Sequence, residues 1–144
     1  MKIGIASDHA GYALKVKLVE YLKKLGIDFI DMGTNSPDPV DYSDFGHKLA
    51  NAVEHHDVEM GISICGSGNG INMTANKHQN IRSALCWNQE ISHLARLHND
   101  ANICAIPGRF VTPEEAYKIV DEFLGTSFEG GRHIARINKI PVKK

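Results

Sequence analysis

An alternation constrains this chain more than any other feature: apolar runs only a strand long are separated, from one end to the other, by longer amphipathic stretches. That rhythm marks repeated β-α units wound around a parallel sheet. The runs are residues 3–7, 27–31, 60–65, 84–87 and 102–106, most of them flanked by Gly, Asn, Asp or Pro. Between the first two, Leu14, Leu18, Leu22 and Leu25 recur at helical spacing with Val19 beside them, while Lys15, Lys17, Lys23 and Lys24 supply solvated positions. This helix should stop at Gly26, which suits a C-terminal cap. Thr112-Pro113-Glu114-Glu115 opens another helix: Thr can cap, Pro fits the first turn, and Glu115 can close a capping box. Ala116, Ile119, Val120, Phe123 and Leu124 then form its buried stripe.

At 144 residues there is material for one ordinary core. No repeat or linker divides the chain, and Pro37 and Pro39 mark only a loop. The expectation is one doubly wound α/β domain over residues 1–144. Its tail, residues 131–144, begins a further short helix with Ile134, Ile137 and Ile140 on an apolar side. From pattern alone that tail docks equally well on a partner subunit or on its own domain.

Charge and cysteine usage remove several classes of function. With 16 Lys and Arg against 17 Asp and Glu, the formal charge is -1, so no global field recruits nucleic acid or an anionic membrane. No segment approaches the roughly 20 apolar residues of a membrane span, and the start MKIGIASDH has no charged leader before an apolar run. A cytoplasmic location is expected. Cys65, Cys86 and Cys104 form no close pair, and an odd count argues for free thiols. Of the eight histidines only His93 and His98 approach zinc-finger spacing, without a preceding cysteine pair, so no metal is expected.

In open α/β sheets ligands bind beyond the carboxyl ends of the strands. Here the first run ends in Ser7-Asp8-His9 and the third in Cys65-Gly66-Ser67-Gly68-Asn69-Gly70, while the helix before the last strand ends in His98-Asn99-Asp100. A thiol at a strand end, followed by a glycine turn into a helix near Ile71, has amides and a helix dipole to stabilise its thiolate and to hold an oxyanion. An aldose–ketose exchange needs those two things, a base and donors for the enediolate oxygen. Taken alone, Cys65 reads more readily as a small buried strand residue, as Cys86 and Cys104 are read, and the glycine loop reverses that balance. A dinucleotide fingerprint fails because its third glycine would fall at Ile71, and a P-loop fails for want of Gly-Lys-Ser/Thr. A cysteine phosphatase loop would need arginine at that same position. Proton transfer is left favoured over hydride or phosphoryl transfer.

His98 suits proton exchange with a sugar ring oxygen, with Asp8 assisting; the bland readings are a helix-end His satisfying the dipole and a helix N-cap. Arg132 and Arg136 lie four apart, about 5 to 6 Å at Cβ on a helix, so two guanidinium forks can share a phosphate, with His133 and Arg109 nearby. A solvated basic face is the alternative.

Ser7-Asp8-His9-Ala10-Gly11, Asp41-Tyr42, Ile64-Cys65-Gly66-Ser67-Gly68, Ala75-Asn76-Lys77, His98-Asn99-Asp100-Ala101-Asn102 and Glu129-Gly130-Gly131-Arg132-His133 together resemble ribose-5-phosphate isomerase type B, a family that includes the galactose-6-phosphate isomerase subunits. The resemblance is collinear from the first strand to Arg136. It implies a Rossmann-like three-layer fold with a five-stranded parallel sheet, in a homodimer sometimes paired into a tetramer, with each active site shared across the interface and no metal or other cofactor. It further implies Cys65 as the base between C1 and C2, and His98 with Asp8 for ring opening. The loop of Gly66, Ser67, Gly68, Asn69 and Gly70 would stabilise the enediolate and Asn99 would contact the sugar. His9, Tyr42, Arg109, Arg132, His133 and Arg136 would hold substrate or its phosphate. Members with a glutamate base lack this cysteine, and ten residues beyond Cys65 stands Ala75. Thr is common in the family at Ser67 and a small or apolar residue at Asn69, so the sugar is less defined than the reaction. The expected function is interconversion of ribose 5-phosphate and ribulose 5-phosphate through a cis-enediolate, in the non-oxidative pentose phosphate pathway. The alternatives are isomerisation of allose or galactose 6-phosphate, or a non-catalytic sugar-phosphate-binding module.

Overall fold

The computed structural model describes residues 1–143. Five strands, β1 (Lys2–Ser7), β2 (Asp28–Asp31), β3 (Met60–Cys65), β4 (Ser83–Leu85) and β5 (Ile103–Pro107), form one parallel sheet in the order β2-β1-β3-β5-β4. Helices α1 (Tyr12–Lys24), α2 (Tyr42–Glu54), α3 (Asn69–Ala75), α4 (Gln89–Asn99) and α5 (Pro113–Gly125) provide the connections, and α6 (His133–Ile137) closes the chain. This is the expected Rossmann-like three-layer arrangement, with each anticipated strand within two residues of its apolar run.

Side-chain alternation along the strands separates two cores. Ile3, Ile5, Ile62, Ile64, Cys104 and Ile106 face the leucines of α1, Ala95 of α4 and the Ala116, Ile119, Val120 and Phe123 stripe of α5. On the other face, Ala6 and Ile103 meet Leu49, Ala50 and Val53 of α2 and Ala75 of α3. Phe123 is fully buried, so its truncation to Ala should cost about 3–5 kcal/mol. The capping box of α5 forms as the sequence indicates: Thr112 Oγ1 accepts from the Glu115 amide and the Glu115 carboxylate accepts from the Thr112 amide. Gly26 is left-handed just beyond α1.

Several expectations need correction. Helix α2 has no counterpart among the sequence-derived helices, although Leu49, Ala50 and Val53 share one helical face. Lys15 is not solvated: it is 1% exposed and its Nζ reaches the Asp31 carboxylate at 2.5 Å, because α1 crosses the end of β2. Leu25 is exposed, since it follows the last turn of α1 and points past the core. Helix α3 begins at Asn69, two residues before Ile71. Of the tail isoleucines only Ile137 is buried, while Ile134 and Ile140 are exposed, because the helix makes little more than one turn. The tail touches its own chain where Val142 exchanges hydrogen bonds with the Gln79 side chain, and just before it the Glu129 amide donates to the Leu97 carbonyl. Lys144, the end of the expected tail, lies outside the described residues.

Candidate active site

Register brings the carboxyl ends of the three central strands to one edge. Ser7 pairs with Ile64 and Cys65 with Pro107, so the segments that follow β1, β3 and β5 leave the sheet side by side. β2 and β3 flank β1 on opposite sides, which opens a crevice between the chains leaving β1 and β3. A cavity of about 560 Å³ occupies it, lined by Asp8, His9, Tyr42, Cys65, Gly66, Ser67, Gly70 and Arg109, together with Ala10 and Phe110. That volume lies in the range of small-molecule pockets.

Cys65 closes β3 and is 4% exposed. The chain then turns through Gly68, the N-cap of α3, whose φ of 76° is left-handed and favours glycine. The amides of Ser67 and Gly68 have no acceptor among the described residues, so they remain available to an oxyanion beside the thiol. Cys104, by contrast, is sealed in the core, where burial pushes its thiol well above the ordinary range, the signature of a packing residue. Asp8 is buried, and its Oδ1 accepts from the Gly11 amide at 2.9 Å. The turn-forming reading of Asp8 is therefore satisfied by one oxygen, and the residue still lines the cavity. His9 Nδ1 accepts from the Val40 amide at 3.1 Å. A backbone N–H can only donate, so the ring's proton sits on Nε2 and that nitrogen is a donor.

Two cavity side chains owe their positions to missing Cβ atoms. The Tyr42 ring fills the space a side chain at Gly70 would take, within 2.5 Å of a Cβ built there. Arg109 lies over Gly66, where a Cβ would stand 3.2 Å from its Nη1. Phe110, which sequence reading passed over, lines the same cavity at 75% exposed. Its only signal was adjacency to Arg109. Of the remaining loop residues, Gly68 is turned toward Leu85 and Pro107 behind the cavity and Asn69 is exposed; neither lines it.

The other expected site residues lie elsewhere. Helix α4 runs back to the start of β5, so His98 and Asn99 stand at the amino edge of the sheet. Cys65 is level with Pro107, four residues of strand beyond Ile103, or about 13 Å along the strand direction. His98, Asn99, Arg132, His133 and Arg136 line no part of the Cys65 cavity. Three of them, His98, Arg132 and His133, gather around a second centre: the His98 and His133 rings stack with centroids 4.5 Å apart, and both present Nε2 to Glu129 Oε2, at 3.8 and 3.4 Å. Arg132 reaches Glu129 Oε1 at 3.7 Å. The turn that carries His98 is braced by Arg82, which donates to the Asn99 and Asp100 carbonyls, and by Arg96, which donates to the Asp100 carboxylate at 2.8 Å. Asp100 there is left-handed, with φ of 46°. Arg82 was not singled out from sequence, and Glu129 entered only as the first residue of the Glu129-Gly130-Gly131-Arg132-His133 motif with no role of its own, because each acts through contacts the fold creates.

His98, Glu129 and His133 are the only described residues whose ligand atoms gather in the manner of a metal site, all within 4.8 Å of one another. Two imidazoles and a carboxylate are a donor set zinc accepts. The nearly parallel rings, 18° apart, do not aim their lone pairs at one point, and Arg132 already neutralises the carboxylate. His93, the other histidine of the zinc-like pair, is engaged instead by Glu122 and Thr126.

Comparison with known proteins places the chain in a family. A ribose/galactose isomerase family model matches residues 3–140. Ribose-5-phosphate isomerase B of Escherichia coli is 42% identical over 139 residues, covering 96% of this chain and 93% of the relative. The structure of Clostridium thermocellum ribose-5-phosphate isomerase B superposes with a TM-score of 0.96 at 49% identity, covering 97% of this chain and 95% of that one. The Mycoplasma genitalium ribose-5-phosphate isomerase B structure, which holds ribulose 5-phosphate, gives 0.92 at 44% identity over 96% and 93% of the two chains. By fold, motif order and sequence over nearly its whole length, the chain belongs to the ribose/galactose isomerase family.

Proposed function

We propose that the protein interconverts ribose 5-phosphate and ribulose 5-phosphate through a cis-enediolate, in a homodimer whose active sites each combine the carboxyl-edge cavity of one chain with the amino-edge cluster of the other. The observation that carries this reading is the cavity at the strand ends, where a thiol, unused amides, Asp8, His9 and Arg109 converge. Support for the substrate comes from the Mycoplasma genitalium relative, which binds ribulose 5-phosphate. Support for two chains comes from the separation of Cys65 and His98 to opposite edges of one sheet, since a general acid–base mechanism needs both groups at one sugar.

The chemistry runs in two stages. In ring opening, Asp8 takes the proton of the C1 hydroxyl while His98 of the partner subunit protonates the ring oxygen, which frees the aldehyde. The Cys65 thiolate then removes the proton on C2. The electron pair left behind forms the C1–C2 double bond, and charge collects on O1, where the loop amides, that of Ser67 among them, receive it. Transfer of the O2 proton to O1 and return of the thiol proton to C1 yield the ketose. His9, through Nε2–H, and Arg109 hold substrate from one chain. Asn99, Arg132, His133 and Arg136 serve from the other, the two arginines as a phosphate clamp. Tyr42 forms part of the cavity wall, and Ser67 stands where chain length can be sensed. The tail, residues 131–144, then packs toward the neighbour. The three free, buried thiols suit the reducing cytoplasm.

A panel of phosphosugars tests the reading. kcat/KM should be highest for ribose 5-phosphate, at least tenfold above allose and galactose 6-phosphates. A reversed order would move the substrate to six carbons, and turnover of none would leave only a binding module.

A further inference from the structure

Glu129 is the one member of the amino-edge cluster without a role in that chemistry, yet three cationic or proton-bearing side chains converge on it. Its carboxylate stands 3.4 Å from His133, 3.7 Å from Arg132 and 3.8 Å from His98. None of these is the roughly 2.7–2.9 Å of a charge-assisted hydrogen bond. The carboxylate is close enough to neutralise the cluster and too far to bond it. His133 Nε2 records the consequence: it is buried, its side chain 7% exposed, and it has no hydrogen-bond partner. The backbone of Glu129 is pinned, its amide donating to the Leu97 carbonyl at 3.0 Å, while its side chain is 42% exposed. Only side-chain torsions need change for the carboxylate to leave for water.

We propose that Glu129 is an internal competitor for the substrate's phosphate, an anion held loosely among His98, Arg132 and His133 until a doubly charged group displaces it. This rests on the phosphate clamp of the preceding section and adds a residue that sets its selectivity. A phosphate offers three oxygens, enough to bond the stranded His133 Nε2 and an arginine together, whereas a neutral sugar brings nothing to replace the carboxylate. Glu129 therefore raises the threshold for entry and favours phosphorylated sugars over their unphosphorylated counterparts.

The test uses the full-length protein and inorganic phosphate as the probe. In Glu129→Gln, the phosphate Kd from calorimetry and the KM for ribose 5-phosphate should both fall about three- to tenfold, the scale of losing one exposed ionic competitor, with kcat changing less. Glu129→Ala should behave alike, which separates charge from shape. If both variants leave Kd and KM unchanged or raise them, Glu129 is a scaffold for the imidazoles and the inference fails. Arg136→Ala distinguishes the two levels: a raised KM there alongside an unaltered Glu129→Gln strikes the inference alone, while an unchanged KM strikes the clamp and the inference with it.

Discussion

The two functional regions of this molecule are built by opposite means. At the carboxyl edge, positions follow from backbone: Cys65 is the last residue of a central strand, Asp8 is tied to the Gly11 amide, and His9 is oriented by the Val40 amide. At the amino edge, positions follow from side chains: His98, Arg132 and His133 share one carboxylate, and the turn beneath them is braced by Arg82 and Arg96. Cys65 and Asp8 of the first region are buried, whereas Arg132 and Glu129 of the second are exposed. A group that must abstract a carbon-bound proton profits from a rigid, dry seat. Groups that meet their target on another surface profit from reach.

The sharpest way to break this comparison is to disable each region in turn and then mix. Cys65→Ala should lower kcat about a thousandfold, and His98→Ala by a similar order, as expected of a general base and acid. Mixing the two inactive proteins and allowing subunits to exchange should restore about a quarter of wild-type activity, because half the dimers are hybrids and each hybrid has one intact site. No recovery under proven exchange would place both groups in the same chain's site.

A smaller effect should come from Gly66→Ala. The added methyl stands 3.2 Å from Arg109 Nη1, so the arginine must shift, and KM for the phosphosugar should rise about three- to tenfold with kcat nearly kept. An unchanged KM would remove Arg109 from the substrate's grip.

The smallest concerns acid. The Glu54 carboxyl, at the last residue of α2, is held below its ordinary value of 4.5 mainly by the Asn80 amide, with His78 adding to the effect. A carboxyl depressed in the folded state adds stability above its unfolded value and loses it as pH falls through the folded one. Between about pH 7 and pH 3, Glu54→Gln should therefore lose its Tm deficit of about 2 °C relative to wild type. The Asn80 amide should exchange faster in the variant at neutral pH only. Equal exchange in both proteins at neutral pH would show that backbone and not side chains secures the Asn80 amide.

Much of this was legible in the residues. The five strands, the α5 capping box and the Cys65 loop are local facts, set by apolar period, turn chemistry and short-range hydrogen bonds, and they appear where the sequence puts them. The buried Lys15 was not legible, since a lysine on a helix reads as solvated unless the strand end carrying Asp31 is known to lie beneath it. Helix α2 was passed over because its apolar stripe is short and rich in alanine. Motif order alone sufficed to suggest the family and the reacting groups. Which groups share a wall was decided by the tertiary structure: strand register sets Asp8, His9, Cys65 and Arg109 together, and the return of α4 sends His98 to the far edge. The reason is physical. A motif fixes the chemistry a few residues can perform, but the distance between two motifs depends on the direction in which every intervening strand and helix runs.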